Sequence, residues 1–153
     1  MLSFSVLALN GFGQTVLTIS GEVTKPLTLQ AADLKAMPDT NVTATDRDGK
    51  EHRYSGVPLF DLLKQAGTTL SGELRGKNLI KYVIVRAVDG YEVLFTLPEI
   101  DPEFATRTIL LADSVDGATL PAGVGPYRIV VPGEKKQAPW VREVKAIEVR
   151  SAK

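Results

Sequence analysis

The side chains able to do chemistry gather at two places in this sequence. Asp46, Asp48, Glu51 and His52, the one histidine of the chain, place carboxylates and an imidazole within a short span, the donor types that ligate cations or relay protons. They flank an Asp48-Gly49 turn, and strand alternation on either side sends successive side chains to opposite faces. These donors are therefore expected to solvate the turn without building a metal site, with His52 kept as a candidate base. Lys135-Lys136 and the stretch from Arg142 to Lys145 supply positive charge later on, but Glu134 and Glu143 interrupt it, as in a solvated face. Tyr54, Tyr91, Tyr127 and Trp140 each combine a ring for packing with one polar handle, while Phe95 and Phe104 read as core.

Composition excludes several classes of chemistry. With no cysteine there is no disulfide, no thiolate ligand and no thiol nucleophile, and a single histidine rules out a zinc site made of several imidazoles. Eighteen basic residues balance eighteen acidic ones, whereas a nucleic-acid binder concentrates a basic excess, so no nucleic-acid partner is expected. A chain of 153 residues fits one core, and 44% hydrophobic with 24% charged residues is ordinary for a globular fold. The apolar run Leu2 to Leu9 is too short for a stable membrane span, which takes about 20 residues. Residues 1–13 read as the remnant of a secretory signal, leaving a single domain over 14–153 in a periplasmic or secreted protein.

The elements that must position these side chains are mostly strands. Val16 to Ser20 alternates apolar and polar residues, Asn41 to Thr45 and His52 to Tyr54 flank the Asp48-Gly49 turn, and Tyr82 to Ala87 and Glu92 to Thr96 flank Asp89-Gly90. Both turns are expected to be tight two-residue hairpins. Thr108 to Ala112, Arg128 to Val131 and Val144 to Val149 complete the strands. A helix capped by Thr28 is expected over Leu29 to Ala36, a second opens at Gly56-Val57-Pro58 and stops at Gly67, and Leu97 to Ile100 makes a short turn of helix. The breakers between Asp113 and Pro126 predict a long ordered loop. The fold class is α+β, mainly β sheet with a few short packed helices, and no glycine-rich phosphate loop follows any strand.

Three ordered segments carry a more specific resemblance. They are Tyr54-Ser55-Gly56-Val57-Pro58-Leu59 with Leu62-Leu63 and Ala66-Gly67; Ala87-Val88-Asp89-Gly90-Tyr91 leading to Leu97-Pro98; and Leu110-Leu111-Ala112 with Asp116 to Pro121, then Gly125-Pro126-Tyr127-Arg128-Ile129-Val130-Val131-Pro132-Gly133 and Trp140-Val141. Together they resemble the molybdopterin-binding domain of the sulfite oxidase family.

That resemblance implies an oxidoreductase fold whose metal-ligating cysteine follows the strand ahead of the first segment. Here the strand reads Asn41-Val42-Thr43-Ala44, and Ala44 stands where the thiolate would be. The expected groove contains Ala44, His52 and Tyr91, and the resemblance implies Arg47, Tyr54, Lys135, Lys136 and Arg142 as residues that would hold a cofactor. The reading that follows is a binding or accessory module with no required cofactor, molybdopterin being the one the resemblance admits, and with an unknown small molecule or protein as partner. Its alternative is a molybdopterin-dependent oxidoreductase that holds its metal without a protein thiolate.

Overall fold

Apolar alternation decides which face each strand buries. In β1 (Thr15–Gly21) Leu17 and Ile19 are buried while Thr15 and Ser20 are exposed, the period of two that a half-buried strand requires. This computed structural model describes residues 14–152, so the expected signal remnant in 1–13 lies outside the described residues. β1 belongs to a five-stranded sheet in the order β2 (Leu27–Gln30), β1, β10 (Val144–Ser151), β5 (Lys81–Ala87) and β6 (Glu92–Thr96), with β10 at its centre. β1 and β10 run parallel and the other neighbours antiparallel. A second sheet orders β3 (Thr40–Thr45), β4 (Glu51–Pro58), β7 (Leu110–Val115) and β8 (Ala118–Thr119), with β9 (Arg128–Val130) paired to the other end of β7.

One hydrophobic core draws on both sheets. Val83, Val85, Ile147 and Val149 come from the first, and Tyr54, Val57, Leu110, Leu111 and Ile129 from the second. The helix α2 (Leu59–Gln65) adds fully buried Leu59, Leu62 and Leu63, each contributing about 1.5–3 kcal/mol by burial. Phe95 joins this core. Phe104, expected there, is half exposed, because Phe104 and Ala105 fold back to donate to the Asp101 carbonyl in a surface turn.

Several boundaries differ from the sequence expectation, the first two because pairing with a neighbouring strand overrides local propensity. Leu27–Gln30 stays extended because it pairs with β1, so α1 (Ala31–Lys35) begins two residues late, where the Gln30 N–H donates to Asp33 Oδ2 at 2.8 Å. β4 runs through Pro58, paired with Leu110, and α2 starts only after it. Both the Asp48-Gly49 and the Asp89-Gly90 hairpins have three-residue loops rather than two: Asp46 and Lys50, and likewise Ala87 and Tyr91, still bond across the strands, with Gly49 at φ +78° closing the first. The true two-residue turn is Asp116-Gly117, inside the stretch expected to be a loop. Both residues have positive φ, 50° and 83°, the geometry that matches strand twist, and it joins β7 to β8.

The short helix α3 (Leu97–Ile100) is where expected, fixed by reciprocal bonds between Thr96 and Glu99. Two 3₁₀ turns, Ser71–Glu73 and Gly76–Ile80, carry the chain into β5. No described helix is long and apolar enough to cross a membrane.

Candidate functional site

Two hairpin ends of the second sheet converge with β9 and the segment before β10. The β3–β4 loop supplies Asp46, Arg47 and Asp48, β4 supplies His52 and Tyr54, the β7–β8 turn supplies Asp116, β9 supplies Arg128, and Arg142 precedes β10; together they line a cavity of about 390 Å³. Two of its lining residues, Tyr54 and Arg128, pack against Trp140. Trp140 meets Tyr54 edge to face at 5.6 Å between ring centroids, and the Arg128 guanidinium lies 5.0 Å from the Trp140 ring.

Arg128 is only 5% exposed, and burial pulls its pKa down. Its Nη2 donates to the Trp140 carbonyl at 3.4 Å, yet its Nε is buried with no hydrogen-bond partner in the protein. Tyr54 donates its hydroxyl to Asp46 Oδ2 at 2.7 Å, and burial raises its own pKa. Burial also pushes the Asp46 carboxyl up. The bonds from Tyr54, the Arg47 N–H and Gln137, with the charge of Arg128, outweigh that and hold it at about 2. Asp46 is therefore a fixed anion in the cavity lined by Arg47, Arg128 and Arg142. Among the described residues, neither Arg47 nor Arg142 forms an ion pair.

Of the donors expected to point to different faces, Asp48 and His52 meet, whereas Glu51 stays exposed and lines none of the site's cavities. His52 Nδ1 meets Asp116 Oδ2 at 2.6 Å and Nε2 meets Asp48 Oδ2 at 2.8 Å. Alternation fails as a guide because Asp48 lies in the loop, where the strand period has ended, and Asp116 arrives from another hairpin 64 residues on. Ionised carboxylates only accept, so both ring nitrogens must carry protons, and the bonds to Asp116 and then Asp48 raise the pKa to about 9. His52 reaches this site as an imidazolium that ties two turns together.

A pH dependence follows from this clasp. The folded pKa lies above the ordinary 6.5, so between those values the native state holds a proton that the unfolded chain has released. The clasp's contribution is complete below about pH 6.5 and is lost as pH rises through about 9. The thermal midpoint of the wild type should fall across that window, and His52→Asn should flatten the fall; an equal slope in both proteins would remove the clasp as its cause.

The other residues singled out in the sequence spread along an adjoining groove. Tyr91 is 47% exposed, donates its hydroxyl to the Ala138 carbonyl at 2.8 Å, and with Arg47, Gln137, Trp140 and Arg142 lines a second cavity of about 160 Å³. Lys135 and Lys136 line a third, open groove of about 910 Å³ that shares Asp46, Arg47 and Tyr91 with its neighbours. Ala44 pairs with His52 across the β3–β4 ladder, which puts both on one face, but Ala44 is buried beneath the cavities and lines none of them. Arg128, Asp116 and Trp140 escaped sequence reasoning as site residues. The available signal was Arg128 itself, a lone charge leading the apolar run Ile129-Val130-Val131.

A family model described as the oxidoreductase molybdopterin binding domain matches residues 12–153. The chain belongs to this family. Among solved structures, the sulfane dehydrogenase SoxCD from Paracoccus pantotrophus shares the fold of this molybdopterin-binding domain, with a TM-score of 0.70 at 24% sequence identity over 89% of this chain. The chain spans 38% of that protein's length. No curated protein matches it.

The residues present divide over the family's cofactor. For its anionic, hydrogen-bonding organic part the cavity offers three arginines, one of them carrying a buried unpartnered donor, beside the carboxylates Asp46, Asp48 and Asp116. Its metal lacks a matching ligand. The chain has no thiol, and among the described residues no group of three or more His, Asp or Glu side chains could hold a metal ion. The carboxylates near His52 are already committed to it.

Proposed function

We propose that this molybdopterin-binding domain is a binding or accessory module that holds a flat, anionic small molecule of pterin type and carries out no molybdenum redox chemistry of its own. The observation that carries this reading is Arg128: a buried guanidinium in the cavity lining with an unpartnered Nε is costly unless an acceptor completes it. Arg47 and Arg142 at the rim add charge for a phosphate or carboxylate, and Lys135 and Lys136 extend it along the groove. Ala44 cannot donate a lone pair to a metal, and the absence of cysteine removes the soft thiolate that fixes an oxo-molybdenum centre. The reading includes export with processing near Gln14, supported by the apolar run from Leu2 to Leu9, and N-terminal sequencing of secreted protein tests that part.

Elemental analysis for molybdenum and a pterin fluorescence assay on protein made in a molybdate-supplied host test the central claim. Molybdenum is expected well below one atom per chain. Stoichiometric molybdenum together with pterin would overturn the non-redox assignment in favour of an oxidoreductase that holds its metal through the cofactor's dithiolene alone.

A further inference from the structure

The first sheet buries one face and leaves the other open. Leu17, Val83, Val85, Ile147 and Val149 point into the core, whereas the residues alternating with them on β1, β5, β6 and β10 are all at least partly exposed, so no described element seals that side. Ile84 pairs with Leu94 there, and Leu94 is 50% exposed.

A row of four alternating charges crosses the same face. Arg86 Nε donates to Glu92 at 2.6 Å and its Nη2 lies 3.6 Å from Glu148, which accepts from Arg150 at 2.8 Å. The order is negative, positive, negative, positive. Laid head to tail against a copy of itself, such a row sets every charge opposite its counter-charge: Glu92 meets Arg150, and Arg86 meets Glu148, each pair twice. The operation that does this is a two-fold axis lying in the interface and crossing the row between Arg86 and Glu148.

The register places the charges where this axis needs them. Arg86 stands opposite Glu92 on one side and Ala146 on the other, and Glu148 and Arg150 follow Ala146 along β10 on the same face. With strands about 4.8 Å apart and about 3.3 Å per residue, Glu92 and Arg150 lie about 7 and about 9 Å from the axis on opposite sides of it, both displaced to one side of the row. The axis therefore brings each to within about 3 Å of the other's counterpart, inside the reach of either side chain.

We propose that the open face of the first sheet is a self-association surface on which a second copy of this chain docks about that axis. A partner surface of uniform charge would meet two like charges in the row, whereas a second copy meets none. Five strands of four to eight residues present roughly 500 Å² per copy, about 1,000 Å² for the pair, which is the lower bound of a specific interface and corresponds to a reversible dimer in the micromolar range. None of the four charged residues lines the cavities of the anion cleft, so the inference goes beyond the cleft and does not depend on what it holds.

Sedimentation velocity of the full chain from low to high micromolar concentration tests this, and the wild type is expected to pass from monomer to dimer. Glu92→Arg and Arg150→Glu each put two like-charge contacts into the pair and are expected to weaken it about tenfold or more. Mixed in equal amounts, the two variants regain all four opposite pairs, and a heterodimer of near wild-type affinity is expected, which a misfolded variant could not form. A wild type that stays monomeric throughout, single variants that associate as well as the wild type, or a mixture that does not recover overturns the proposal.

Discussion

Gly56→Ala should destabilise the protein by at least about 3 kcal/mol, a large share of the 5–15 kcal/mol that holds a domain folded. A Cβ at this position would sit 2.1 Å from the Leu111 carbonyl oxygen and 2.7 Å from the Ala112 Cα, both backbone atoms of β7 that no rotamer change can move. Relief requires β4 to separate from β7 at the register shift between Ser55 and Gly56, breaking ladder bonds at the centre of the second sheet. Gly49→Ala is the control. Nothing lies within 4 Å of its added carbon, so only its φ of +78° is strained and a loss of about 1–2 kcal/mol is expected. Chemical denaturation midpoints of the two variants distinguish collision from backbone strain. Similar losses in both would mean that the close approach at Gly56 is absorbed by the sheet.

Arg128→Met should behave in the opposite sense, losing ligand without losing fold. The guanidinium is desolvated, has one long hydrogen bond, and gives up about 0.5–2 kcal/mol of contact with the Trp140 ring when removed. Releasing a buried charge of this kind and filling its volume with an apolar chain offsets that loss, so the folding free energy should stay within about 1 kcal/mol of wild type or rise. Asp46 is not stranded, because the Tyr54 hydroxyl and the Arg47 N–H still bind it. Binding of a phosphate-bearing probe should nevertheless weaken about 100-fold, the value of a charge-assisted bond made in a dry site. A variant that unfolds readily, with unchanged affinity in its folded fraction, would make Arg128 a structural residue and withdraw it from the site.

Much of the architecture was legible because it follows from local rules. Leu17 and Ile19 alternate with polar neighbours, Thr96 and Glu99 have the spacing of reciprocal caps, and Leu59, Leu62 and Leu63 share one helical face. Where a segment's partner is distant the local rules misled. Leu27–Gln30 has the residues of a helix start and is a strand because β1 lies beside it, whereas Asp116-Gly117, a local turn between Val115 and Ala118, was hidden by the breakers around it.

The sequence by itself determined that no thiolate is available, that charge is balanced, that hairpins turn near Gly49 and Gly90, and that the three ordered segments belong to a molybdopterin-binding fold. Each is a property of residue identity or short spacing. Only the tertiary structure decided that His52 is clasped by carboxylates from two different turns, that Arg128 is buried against Trp140, and that Gln137 and Trp140, each with a buried unpartnered atom, line one cavity. Those facts depend on strand order and register, which bring residues 12 to 64 positions apart into contact, and an error of one residue in register would turn the strand residues His52 and Arg128 to the opposite face.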